Sequence, residues 1–201
     1  MGNRTCIVLG SSPLGRAAYA VARRDYPDAP VITCNRGLQI EPNPDFYFLS
    51  DMVACELWAE DARQASKRGK TQRVTLRRDP QAMKTRSVGD FEIVIREGHP
   101  YEPFQLSGWQ CVEFAVRVVQ ARTVVLVGMD GYAHGCKTQD YFAGAYHHAP
   151  NDGLQKDLTR TVVEPLANRV VAKYPEVRFE CRGEPCYSVK LPNWAVVPWS
   201  R

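Results

Sequence analysis

Apolar residues fall along this chain in two patterns: short unbroken runs, and longer stretches where they recur at helical spacing. Thr5-Cys6-Ile7-Val8-Leu9 is the first run, and its end at Gly10 predicts a central parallel strand covered on both faces. Alanine dominates from Leu14 to Arg24, and two arginines close the segment, as suits a helix C-terminus. Pro30 to Asn35 predicts the second strand, which completes a unit of right-handed crossover size. Asp45 to Asp51 reads as a third strand, Val53 to Arg68 as a helix, and Arg73–Leu76 and Phe91–Ile95 as further strands. Ser107 to Val119 carries Cys111, Phe114, Ala115 and Val118 near helical spacing. Thr123 to Val127 is a buried strand closed by Gly128-Met129-Asp130. Leu154 to Lys173 predicts a long helix that Pro165 kinks or divides, and Val177 to Cys181 the last strand of the main sheet.

This alternation predicts an α/β fold: one Rossmann-like domain over residues 1–201, doubly wound around a mostly parallel sheet, with a loop or lid insertion. The insertion is the stretch 133–151, rich in Gly, His, Tyr and Asp and long enough to suggest an active-site loop. The tail 192–201 holds two Pro and two Trp, so it is expected to dock. Ligands of such sheets sit at the carboxyl ends of the strands. The polar residues placed there are Gly10, Ser11 and Ser12, then Asn35 and Arg36, then Ser50 and Asp51, then Asp130 and Tyr132. They are expected to share one crevice.

Composition narrows the class. The 201 residues are 44% hydrophobic and 24% charged, which argues for a folded core, and the net charge of +4 is far from a nucleic-acid-binding composition. Seven cysteines, an odd number with no Cys-x-x-Cys pair, fit a reduced compartment better than a disulfide scaffold. With no signal-like leader and no apolar run of membrane-spanning length, a cytoplasmic location is expected.

The segment Leu9 to Gly15 offers small residues just ahead of a helix N-terminus, an arrangement that suits a phosphate. It is neither Gly-x-Gly-x-x-Gly nor a Walker loop, which disfavours a dehydrogenase or a P-loop NTPase. A tight turn with no ligand is the plain alternative. The amide of Asn35 can read a base or sugar, or simply close an Asx-turn. Ser107-Gly108 caps a helix and leaves a small-residue surface. His147 and His148 lie in the long loop, where an imidazole can act as general base, with Tyr132, Tyr141 and Tyr146 nearby in sequence. No metal pattern matches the spacing of these histidines with Cys181 and Cys186. The basic stretch from Lys67 to Arg86 lacks aromatic interleaving and reads as a solvated edge or lid, so nucleic acid is possible but not favoured.

Three segments in order resemble bacterial sialyltransferases of glycosyltransferase family 42, and the wider group of phage, bacterial and pterin pyrophosphokinase-like proteins around them. The first is Ile7 to Leu14 with Val31 to Arg36, similar to the family's Gly-Asn-Gly-Pro-Ser loop and Cys-Asn strand end. The second is Ser107-Gly108 with Val124 to Tyr132, similar to the Thr-Ser-Gly helix and Gly-Ile-Asp-Phe-Tyr segment. The third is Tyr141 with His148-Ala149-Pro150-Asn151, similar to the second tyrosine and the His-x-x-Asn motif. The resemblance spans roughly residues 5–181 at low identity. It implies a CMP-sugar donor held by Gly10 to Ser12, with Asn35 on the nucleotide and Ser107 and Gly108 lining the base or ribose. It implies Tyr132 and Tyr141 on the leaving phosphate, His148 as base with His147 as its substitute, and no metal cofactor. Ser11 stands in place of the family's loop asparagine, and Arg36 in place of its usual Gln.

The expected function is therefore a glycosyltransferase-like reaction between a nucleotide-sugar and an unknown acceptor, with homo-oligomerisation left open. The alternatives are a Mg²⁺-dependent phosphoryl or pyrophosphoryl transferase using Asp130, Asp51 and Asp152, and a nucleotide-binding module without turnover.

Overall fold

A computed structural model describes residues 4–10, 12, 15–49, 52–69, 71–76, 93–95, 107–130 and 159–198. In chain order the elements are β1 (Thr5–Leu9), α1 (Gly15–Asp25), β2 (Val31–Cys34), a 3₁₀ turn (Asn35–Gln39), β3 (Phe46–Phe48), α2 (Met52–Lys67), β4 (Gln72–Leu76) and β5 (Ile93–Ile95). Then follow α3 (Ser107–Arg117), β6 (Thr123–Val127), a π-helical turn (Thr159–Val163), α4 (Glu164–Lys173), β7 (Arg178–Arg182) and β8 (Trp194–Val197). The described strands form one eight-stranded sheet in the order β5-β4-β3-β2-β1-β6-β7-β8, and each of their pairings is parallel.

β1 lies inside this sheet, paired with β2 and with β6, and Cys6 to Leu9 are wholly buried. That is why the first run is continuous rather than alternating: both faces of the strand are covered. The chain steps outward from β1 through β2 to β5, then resumes on the other side of β1 with β6. Crossovers of one hand running in opposite directions place their helices on opposite faces. Accordingly Ala18, Tyr19 and Ala22 of α1 pack on Ile7, Leu9, Val31, Val125 and Val127. On the other face Trp109, Phe114 and Ala115 of α3 join Leu166, Ala167 and Val170 of α4 over Val8, Ile32, Val124 and Leu126. Phe114 meets Phe46 and Phe48 edge-on, with ring centroids 5.1 and 6.0 Å away.

The predicted elements are present where their residues are described (91–92 and 154–158 lie outside them), with shifts that have local causes. The third strand shortens to Phe46–Phe48, and the Asp45 carboxylate instead accepts the Val31 N–H at 2.8 Å. The second strand stops at Cys34, because Asn35 turns into the left-handed region at φ 49°. At Pro165 the helical geometry changes: a π-helical turn over Thr159–Val163 runs into α4, whose first turn holds the proline.

One expectation fails. Val177 to Cys181 was to be the last strand of the main sheet, yet β8 lies beyond β7, with Phe179 opposite Trp194. The tail docks by strand pairing. No helix intervenes between β7 and β8. Tyr187, Val189 and Leu191 of the connection pack on the core instead.

Candidate functional site

The carboxyl ends of β1 and β6 mark the point where the winding direction reverses, the usual place for a ligand in such sheets. Two backbone bonds join the segments that follow these strands: Gly10 N–H donates to Val127 O at 2.8 Å and Ser12 N–H to Gly128 O at 3.1 Å. Glycine makes this approach feasible. A Cβ on Gly10 would lie 2.3 Å from Gly128 O. Gly128 itself sits at φ +63°, and a Cβ there would come within 3.2 Å of both Gly10 O and Gly15 Cα, at the start of α1.

Across this seam the Ser12 hydroxyl donates to Asp130 Oδ2. Both side chains are buried, Ser12 at 4% exposure and Asp130 at 1%. Asp130 Oδ1 has no hydrogen-bond partner among the described residues. Gly183, just after β7, closes over it: a Cβ at Gly183 would lie 2.4 Å from Oδ1. Burial pushes the Asp130 carboxyl above its ordinary range. The bond from Ser12 opposes this, and the negative charge of Glu184 adds to it.

The β7–β8 connection braces the same segment from outside. Cys186 N–H donates to Asp130 O at 2.8 Å, and the Tyr187 hydroxyl donates to Met129 O at 2.7 Å. Burial raises the Tyr187 phenol well above its ordinary value and pushes the neighbouring Cys181 thiol up to about 12, so both are neutral groups. The start of α3 arrives from the other side, where a Cβ on Gly108 would lie 2.6 Å from Met129 Sδ. Ser107, half-buried, is the first residue of that helix.

The end of β2 is tied to β1 by Thr33, whose hydroxyl donates to Leu9 O at 2.8 Å. Asn35 follows immediately. Its carbonyl accepts from Tyr47 OH at 2.6 Å, and its side-chain Oδ1 is buried without a partner among the described residues. Arg36 is buried within the 3₁₀ turn.

Of the residues singled out from sequence, Gly10, Ser12, Gly108 and Asp130 are thus drawn together around the Gly128–Asp130 segment. Asn35 and Arg36 stand at the end of the next strand, and Ser107 opens α3. Ser11, Ser50, Asp51, Tyr132, Tyr141, His147, His148 and the loop 133–151 lie outside the described residues. Gly183 and Tyr187 were missed. A glycine directly after a strand run is a signal of close approach that would have found the first. Nothing local marks the second.

No protein-family model matches the chain, and no curated protein matches it. Among solved structures, the fold is similar to that of the MAf glycosyltransferase from Magnetospirillum magneticum AMB-1, with a TM-score of 0.60 and 16% sequence identity. The match covers 98% of this chain and 34% of that one, so the chain spans about a third of its neighbour's length. The likeness is one of fold, a parallel sheet with helices on both faces. Among the described residues no helix is long and apolar enough to cross a membrane.

Proposed function

We propose that the protein transfers a sugar from a nucleotide-sugar donor, of the CMP type, to an acceptor hydroxyl. The observation that carries this reading is the meeting of the β1 and β6 ends at the switch point, backbone against backbone, beside the start of α1. The likeness in fold to a glycosyltransferase agrees with it. In this reading the Gly10–Ser12 loop takes the phosphate. The Oδ1 of Asn35, without a partner among the described residues, accepts from the base or ribose, and Ser107 with Gly108 lines that wall. Tyr132 and Tyr141 donate to the leaving phosphate in place of a metal ion. The bond from the anomeric carbon to the phosphate oxygen breaks, and its electron pair leaves with the nucleotide. The acceptor oxygen bonds to the same carbon and gives its proton to His148, with His147 adjacent in sequence. The alternative, a Mg²⁺-dependent phosphoryl transfer, would draw on Asp130, whose carboxyl is buried and bonded to Ser12, together with Asp51 and Asp152.

Thermal shift with CMP, UDP, ATP and GTP, each with and without Mg²⁺, tests the reading. Stabilisation by CMP irrespective of Mg²⁺ is expected, and a strict requirement for ATP with Mg²⁺ overturns it. His148→Ala is expected to stop release of CMP from a CMP-sugar while leaving stabilisation by CMP intact. A fully active variant overturns the assignment of the base.

A further inference from the structure

We propose that Asp130 is a positioning residue that couples phosphate binding to uptake of one proton, by setting which way the Ser12 hydroxyl donates. This rests on the reading that the loop after β1 holds a nucleotide phosphate. With Asp130 ionised, the Ser12 proton is committed to the carboxylate, and a negative charge faces the loop. With Asp130 protonated, the carboxyl donates its own proton to Ser12 Oγ, and the Ser12 O–H is released to donate to a phosphate oxygen. One proton enters from solvent, no covalent bond changes, and the net negative charge beside the phosphate falls by one.

The geometry leaves the pair little else to do. The Ser12 N–H is fixed on Gly128 O, so only the hydroxyl can choose a partner. Its contact with Oδ2 is buried on both sides, and Oδ1 lies against Gly183 without a donor among the described residues. A carboxylate in that position carries a charge without compensation. Among the described residues, the groups facing it supply none. From β7 and the connection beyond it come Cys181, Glu184, Cys186 and Tyr187, of which Glu184 adds negative charge and Cys181 and Tyr187 are held neutral. The β1 side contributes Ser12, and Gly108 at the start of α3 packs on the neighbouring Met129, neither of them basic. An arriving phosphate adds a further negative charge and drives the carboxyl to its neutral form.

The test is calorimetry of the full chain with CMP and with cytidine, in two buffers of different protonation enthalpy, from mildly acidic to mildly alkaline pH. Wild type is expected to take up a proton with CMP and none with cytidine. CMP affinity is expected to fall, up to about tenfold per pH unit, once Asp130 is ionised in the free protein. Asp130→Asn, whose amide can donate to Ser12 in the same way, is expected to bind CMP without that uptake. The titration of CMP's own phosphate is common to all variants and cancels in the comparison. Ser12→Ala is expected to weaken CMP binding several-fold under acidic conditions, where wild type has the released hydroxyl to donate. Equal proton uptake by wild type and Asp130→Asn overturns the proposal alone. Failure of wild type to bind CMP at any pH overturns the nucleotide reading and this proposal with it. Infrared difference spectra of wild type give a second readout, independent of whether the variants fold. CMP should bring up the carbonyl band of a protonated carboxyl group on the alkaline side, and no such band overturns the proposal.

Discussion

Lys173 Nζ lies 2.6 Å from Oε1 of Glu113, whose side chain is wholly buried between α4 and α3. The Tyr174 hydroxyl donates to the same oxygen at 3.2 Å. The two partners are unequal, because the Lys173 side chain is 33% exposed and can retreat into water, while the carboxylate cannot. Lys173→Met is therefore expected to destabilise by about 3 kcal/mol, the low end for a broken buried pair because the lysine is partly solvated. Glu113→Gln retains an acceptor of the same shape and is expected to cost about 1 kcal/mol. Urea unfolding of both variants checks the asymmetry, and equal losses contradict it.

The side chain of Asn193 finishes α4 from outside the helix. Its Nδ2 group lies 3.2 Å from Val171 O, 3.0 Å from Tyr174 O and 3.0 Å from Val177 O. Val171 O and Tyr174 O also accept from the Tyr174 and Val177 N–H groups at 3.3 and 3.0 Å, and an amide with two hydrogens serves all three acceptors by sharing. Asn193→Ala is expected to lower stability by about 1–2 kcal/mol. Asn193→Asp is expected to lose more, since a carboxylate then faces three carbonyl oxygens. The bond from Phe179 N–H to Asn193 O belongs to the backbone and survives in both variants. Thermal unfolding ranks the pair, and matching midpoints would remove the donor role from Asn193.

What could be read from sequence follows the range of the interactions involved. Thr5–Leu9 and Thr123–Val127 announce themselves because a strand covered on both faces needs no polar position. β8 hides because it has four residues, lies at the sheet edge beside prolines, and joins β7 without a helix between them. The site divides in the same way. Gly10, Ser12 and Asp130 are visible because strand ends are visible, and the parallel alternation tells which ends matter. The bond between Ser12 and Asp130 spans 118 positions, and that between Tyr187 and Met129 spans 58. No periodicity encodes either. The fold brings them together, so sequence could nominate the first pair but not join it, and could not nominate Tyr187 at all.

The seam between β1 and β6 gives a prediction that separates two glycines. A Cβ on Gly10 would meet a backbone oxygen, Gly128 O, at 2.3 Å. One on Gly108 would meet only the flexible end of Met129, Sδ at 2.6 Å and Cε at 2.9 Å. The Met129 thioether can swing aside, but the carbonyl cannot move without opening the strand ends. Gly10→Ala is expected to lose roughly 2–3 kcal/mol, as overpacking against a fixed atom does, and Gly108→Ala less than about 1 kcal/mol. Denaturant midpoints decide between them, and an undisturbed Gly10→Ala would mean that the seam is looser than this geometry.

Asp130 gives the pH dependence of the fold itself. Burial raises its carboxyl in the folded chain above the unfolded value, so the folded state binds the proton more tightly than the unfolded one does. The stabilisation from this proton is complete below the unfolded pKa, roughly pH 4, and drains away as the pH rises through the higher folded value. This is opposite to the usual paired carboxylate, whose contribution is lost on acidification. Asp130→Asn keeps a neutral group in place at every pH. Wild type and Asp130→Asn are therefore expected to have similar stability in acid, with the variant progressively the more stable as the pH rises, until the difference levels off once Asp130 is ionised in both states. Urea unfolding of the two proteins across that range measures the difference directly. A gap that widens toward acid, or none at any pH, would mean that the buried carboxyl is compensated in a way that its contacts with Ser12, Gly183 and Glu184 do not provide.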